Sequence, residues 1–106
     1  MVIERFGVYL APFDPAVGVE MRKTRPCLVI SPDQMNRRVR TVIVAPMTGT
    51  QKRFPYRVDC VFDGRAGQIA LDQMRSLDRT LFQRRLGTLD AATTALVLRT
   101  LKELFR

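Results

Sequence analysis

The sequence has no histidine, no tryptophan and only two cysteines in 106 residues. Without histidine there is no Ser-His-Asp or Cys-His nucleophile, no pair of histidines acting as acid and base on RNA, and no imidazole metal site. Cys27 and Cys60 are too few for a four-thiolate site and do not form a C-x-x-C pair. Both lie in apolar runs, so they read as buried free thiols in a reducing compartment. The residues alone leave a disulfide between them open. No apolar run approaches the ~20 residues of a membrane span. Residues 1–6 lack the basic and apolar regions of a secretion signal, so the expected location is the cytoplasm with no membrane partner. A G-x-G-x-x-G turn and a P-loop lysine are both missing, which removes most support for nucleotide-cofactor enzymes. Repeats, low-complexity tracts and linkers are missing as well.

What is abundant is positive charge. Eighteen Lys and Arg against ten Asp and Glu give a net charge of +8. Such an excess points to a polyanionic partner, nucleic acid first. The composition is 46% hydrophobic and 26% charged, that of a chain that folds. Its length fits one domain over residues 1–106, small enough for oligomerisation to support its stability.

Short strands dominate the pattern. Phe6 to Phe13 reads as a first strand, followed by a loop over 14–24. Arg25 to Ile30 is a second, ended by Ser31-Pro32-Asp33, with Asp33 capping a short turn through Asn36. Arg40 to Met47 is the most apolar stretch and the expected central strand. A polar, basic loop, Thr48 to Arg53, follows it. Tyr56 to Phe62 alternates, with Val58, Cys60 and Phe62 on one face and Arg57, Asp59 and Val61 on the other. Asp63-Gly64 is a hairpin signal. Gly67 to Met74 reads as the last long strand, with Asp72 and Gln73 near its end. Residues 78–87 read as a connector with a short helix at Thr80–Leu86 closed by Gly87. Thr88 is the expected cap of a final helix, with Asp90 in its first turn and Val97, Leu101 and Leu104 on one face. Five short strands and a terminal helix predict a mainly β protein with some α, a small curled SH3-like barrel.

The cations cluster on loops: Arg22, Lys23 and Arg25; Arg37, Arg38 and Arg40; Lys52, Arg53 and Arg57; Arg84 and Arg85. Clusters over a barrel can track a phosphate backbone, and Phe54 and Tyr56 stand where a ring could stack on an unpaired base. Other polar residues fall at predicted strand ends: Arg25, Thr48, Asp72 and Gln73, with Glu20 in the loop before Arg25. A carboxylate can take the proton of a ribose 2′-OH, and a guanidinium can stabilise the charge that develops on phosphorus. A threonine hydroxyl can hydrogen-bond the same phosphate. Arginine, with a pKa above 12, is a poor proton donor, so charge stabilisation is its part. Each residue also has a purely structural reading: Arg25 paired with Glu20, Thr48 ending a strand, Asp72 paired with Arg75.

The segments VYLAPFDPAVGVE (8–20), RPCLVISPD (25–33), TVIVAPMT (41–48) and DQMRSLD (72–78) together resemble the MazF/PemK family of toxins from toxin–antitoxin pairs, in the family's order and spacing. The resemblance implies one toxin domain with the fold of the CcdB/PemK group, forming a homodimer. It implies an endoribonuclease that cuts single-stranded RNA at short sequences, without metal or cofactor, through a 2′,3′-cyclic phosphate. On it, Arg25 and Thr48 are catalytic. Glu20 is the acidic loop residue, and Asp72 is the base some members use. Arg22, Lys23, Gly49, Thr50, Lys52, Arg53, Phe54 and Gln73 would contact RNA. The partner would be a cognate antitoxin whose acidic C-terminal tail covers the basic groove. The chain departs from the family pattern at Phe6 and Gly7, where Gly-Asp is usual, and at Met21, where Gln usually follows Glu. Val19 stands where some members carry His. Two other readings belong to different classes: a barrel that binds nucleic acid without cutting it, and a gyrase poison like CcdB. The second depends on a C-terminal Trp that this chain lacks.

Overall fold

A computed structural model describes residues 1–12 and 24–106. Seven strands form a curled antiparallel sheet: β1 (Gly7–Pro12), β2 (Thr24–Val29), β3 (Thr41–Thr48), β4 (Arg57–Phe62), β5 (Arg65–Ala70), β6 (Arg75–Asp78) and β7 (Arg84–Thr88). A short helix α1 (Asp33–Arg38) links β2 to β3, and α2 (Ala91–Leu104) closes the chain. The order is β4-β5-β3-β2-β1-β7, with β6 also paired to β3.

β3 is central, as its apolar run predicts. Its Val44–Pro46 stretch pairs with β2 on one side. On the other side Thr41–Val44 pairs with β6, and Met47–Thr48 with β5. β5 and β6 thus run along one edge of β3 as a single path broken by a 3-10 turn, Leu71–Gln73. That break corrects the expectation of one continuous strand over 67–74, and it puts Asp72 and Gln73 on the turn. Pro46, which cannot donate to a ladder, sits where that edge changes from β6 to β5.

Both faces of the sheet are covered, which is why the strands read as near-continuous apolar runs. Tyr9, Cys27, Val29, Val42, Val44, Leu77 and Phe82 pack on one face. Val8, Leu28, Ala45, Val58, Cys60, Ile69, Leu71 and Val97 of α2 pack on the other. Cys27 and Cys60 are buried free thiols on opposite faces, so no disulfide joins them.

Two further expectations change. The segment expected as a connector with a helix at Thr80–Leu86 carries a 3-10 turn at Arg79–Leu81 and then β7, which pairs with β1. Gly87 therefore lies in a strand, where a methyl group would meet the Phe62 ring at 3.0 Å. Thr88 ends that strand, and Asp90 is the cap of α2, its carboxylate accepting the Thr93 N–H at 3.0 Å. An aspartate satisfies the orphan N–H from two positions closer to the helix. α1 extends the turn expected at 33–36, with Pro32 rather than Asp33 at its cap position. The Asp63-Gly64 hairpin is as expected. φ is +52° at Asp63 and +76° at Gly64, the pair of left-handed residues that a tight hairpin turn needs.

Candidate nucleic-acid interface

Strand register assembles the site at the Thr48 end of β3. Arg25 pairs with Ala11 across β1 and β2. The β2–β3 register runs Val29–Val44, Leu28–Ala45, Cys27–Pro46. Continued by two residues, it sets Arg25 level with Thr48. Thr48 pairs in turn with Gln68, and Gln68 with Asp59. Residues opposite one another in neighbouring strands share a face. A row thus runs across four strands: Arg25, Thr48, Gln68, Asp59.

The loop after Thr48 is held by this row. The Thr50 N–H donates to Thr48 Oγ1 at 3.1 Å. Gln68, only 5% exposed, clamps the loop further along. Its Oε1 accepts the Lys52 N–H at 2.9 Å, and its Nε2 donates to the Lys52 carbonyl at 2.9 Å. The same Nε2 donates to Asp59 Oδ1 at 2.9 Å. A buried side-chain amide with its bonds filled orders a loop that has no ladder of its own. Gly67 allows β5 to pass close to β3: a methyl there would stand 2.6 Å from the Thr48 carbonyl oxygen.

Two clefts open beside the row. One, of about 570 Å³, is lined by Pro26, Met47, Thr48, Gly67, Arg65 and Arg84 among others. Cys60 also borders it. Burial, then the Asp59 and Asp90 carboxylates, pushes its thiol up, so it stands as a neutral wall residue and not a thiolate nucleophile. The second cleft, of about 430 Å³, lies under the loop and is lined by Gln51, Lys52, Arg53, Phe54, Arg57, Asp59 and Gln68. Gly49, Thr50, Lys52 and Arg53 are exposed, and Phe54 is 50% exposed.

Asp72 stands apart from a free base. Arg57 Nε donates to its Oδ1 at 2.6 Å and Nη2 to its Oδ2 at 3.2 Å. The Arg57 side chain is 4% exposed. These hydrogen bonds hold the Asp72 carboxyl below the usual carboxylate range. Both oxygens are occupied, and a lowered proton affinity makes a weak base. Arg57 is thus a fastening between β4 and the 3-10 turn, not a free RNA cation. Gln73 is exposed on the same turn. Glu20, Arg22 and Lys23 lie outside the described residues.

Sequence reasoning passed over Gln68, Asp59, Gly67 and the role of Arg57. An alternating strand pattern marks Asp59 and Arg57 only as outward-facing. No local signal pairs Arg57 with a residue fifteen positions on, or Gln68 with the backbone of Lys52.

The sheet and its basic end define a class first: a curled antiparallel barrel with a groove lined by cations and an exposed aromatic ring. The family model of the PemK-like, MazF-like toxins of type II toxin–antitoxin systems matches residues 4–105. The endoribonuclease PemK of Escherichia coli is 35% identical over 81 residues, covering 72% of this chain and 61% of that protein, so the chain spans less than two thirds of that relative's length. The endoribonuclease EndoA of Bacillus subtilis is 32% identical over 96 residues, covering 85% of this chain and 83% of that one. The crystal structure of MazE-MazF from Deinococcus radiodurans superposes with a TM-score of 0.83 at 29% identity, over 99% of this chain and 96% of that one. The chain belongs to the PemK/MazF-like family of toxins of type II toxin–antitoxin systems. No helix among the described residues is long and apolar enough to cross a membrane.

Proposed function

We propose that residues 1–106 form a single toxin domain that acts in the cytoplasm as a sequence-selective endoribonuclease on single-stranded RNA, mRNA in the cell. The observation that carries this reading is the row that sets Arg25 level with Thr48 at the open end of the sheet, beside a loop rich in unpaired cations. Lys52, Arg53, Arg65 and Arg84 have no carboxylate partner among the described residues, so their charge is available to phosphates.

The reaction needs neither metal nor cofactor on this reading. A carboxylate takes the proton of the ribose 2′-OH, and the freed O2′ attacks the adjacent phosphorus. The bond from phosphorus to the 5′-oxygen breaks, leaving a 2′,3′-cyclic phosphate, and the departing 5′-oxygen takes a proton from water. Arg25 and the Thr48 hydroxyl stabilise the charge on the non-bridging oxygens. With Asp72 committed to Arg57, Glu20 is the residue assigned to take the proton. Lys52, Arg53 and Phe54 hold the flanking nucleotides, with Gly49 and Thr50 shaping the approach, and Arg22, Lys23 and Gln73 extend the contact. The working form is a homodimer. Its partner is a cognate antitoxin whose acidic C-terminal tail competes with RNA for the basic groove, which the net charge of +8 favours.

The test is incubation of the purified protein with a long single-stranded RNA in EDTA, with ends mapped by primer extension. Discrete cuts that vanish in Arg25→Ala are expected. Intact RNA with a folded, antitoxin-free protein would overturn the nuclease reading and leave a binding-only barrel.

A further inference from the structure

The cleft under the 49–56 loop contains one feature that a phosphate-binding groove would not need: a carboxylate. Asp59 lines it together with Lys52, Arg53, Phe54, Arg57 and Gln68. An anion among cations costs affinity for a phosphate backbone, and these cations do not pair with it: Asp59 makes no ion pair among the described residues. Its Oδ1 is fixed by the buried Gln68 amide at 2.9 Å. Its Oδ2 has no hydrogen-bond partner among the described residues, and the residue is exposed. The outcome is an oriented acceptor at the wall of a cup of about 430 Å³, with a half-exposed ring at the rim. Arg57 Cζ lies 6.0 Å from the centre of that ring, so the ring is backed by a cation that is itself tied to Asp72.

We infer that this cup is a nucleobase subsite in which Asp59 accepts a hydrogen bond from the exocyclic amino group of an unpaired cytosine, adenine or guanine and disfavours uracil. The inference rests on the reading that the chain binds single-stranded RNA. Unpaired bases are read on their Watson–Crick edges and stacked on aromatic rings, and an aspartate is a matched acceptor for the amino group of cytosine. Uracil presents a carbonyl oxygen at the position where cytosine has that amino group, so a carboxylate there repels it. Gln68 is the positioning residue: it joins the acceptor to the backbone of Lys52, so the loop and the acceptor move as one piece.

The experiment measures fluorescence anisotropy of labelled 2′-O-methyl RNA hexamers of cytidine or uridine, which cannot be cut because the 2′-oxygen is blocked. Both bases are pyrimidines, so stacking differs little and the amino group is the main difference. The wild-type protein is expected to bind the cytidine hexamer about tenfold more tightly. In Asp59→Asn, which keeps an acceptor for Gln68 and adds a donor, the ratio should fall to within about twofold. Equal binding of the two hexamers by the wild type, or an unchanged ratio in the variant, would overturn the inference. Cleavage mapped in parallel separates this from the nuclease reading. A cytidine preference without cutting sinks the nuclease and keeps the subsite; cutting without the preference does the reverse. Thermal melting of Asp59→Asn should match the wild type, because the substituted side chain is exposed.

Discussion

The two ends of β3 use the same residue types in opposite ways. At its Thr41 end two guanidiniums, those of Arg40 and Arg79, are consumed by structure. Arg40 Nε donates to Asp78 Oδ2 at 2.7 Å, and Arg79 donates to the carbonyls of Asn36 and Val39, closing the C-terminus of α1. At its Thr48 end, about 23 Å away by strand rise, the backbone is held by a neutral amide, Gln68, and Lys52 and Arg53 make no ion pair among the described residues. A basic cluster in a sequence is therefore not a binding site by itself. Within Arg37, Arg38 and Arg40 only Arg40 holds an ion pair among the described residues, to Asp78, whereas at 52–53 neutral hydrogen bonds hold the backbone and neither cation is in an ion pair among those residues.

The sharpest way to break this contrast is Arg25→Ala. It should lower the cleavage rate by about 10²–10³-fold or more, as loss of a transition-state charge partner does, with the fold retained. A variant that cuts at the wild-type rate would remove Arg25 from the mechanism. Thr48→Ala should cost about ten- to a hundredfold, one hydrogen bond to a charged phosphate, read from initial rates in EDTA. Gly67→Ala tests whether close strand passage sets the site. A methyl 2.6 Å from the Thr48 carbonyl must push β5 or β3 aside, so a destabilisation of about 1–3 kcal/mol in urea melts is expected, with slower cleavage. Unchanged stability would mean the sheet end yields freely.

Acid should weaken the fold in a defined window. Asp72, Asp78 and Asp90 are held below the ordinary aspartate value of 3.8 by hydrogen bonds from Arg57, from Thr80 and from Thr93 respectively. Asp78 is lowered to about 2. A depressed folded-state pKa favours the ionised fold, so this stability is present above about 3.8 and is lost as pH falls towards 2. Melting temperature against pH should drop across that window, and Asp78→Asn should flatten part of the drop. The smallest expected effect is Arg40→Ala at the Thr41 end. Cleavage rate and cut positions should change by less than about twofold, since this residue serves an ion pair and not the groove. A large loss would erase the distinction between the two ends.

Much of the fold was legible in the residues. The apolar run at 40–47 marked the central strand, alternation at 56–62 marked a half-buried one, and Asp63-Gly64 marked the hairpin. β7 was missed because Arg84-Arg85-Leu86-Gly87 has no strand pattern of its own; it is a strand because β1 offers an open edge. The break at 71–73 was missed because pairing with two different parts of β3, not local propensity, decides it. At the site, Arg25 and Thr48 were visible as polar residues ending apolar strands. Their partners were not, because Gln68 acts on a backbone sixteen residues away and Arg57 on a carboxylate fifteen residues away.

By itself the sequence determined the charge balance, the excluded chemistries, the central strand and the family to which the chain belongs, because these depend on residue type and local order. The tertiary structure decided which cations are free and which carboxylate is available. Those depend on register and on hydrogen bonds between distant strands, and only the folded sheet sets them: Asp72 is locked to Arg57, while Asp59 keeps one oxygen open.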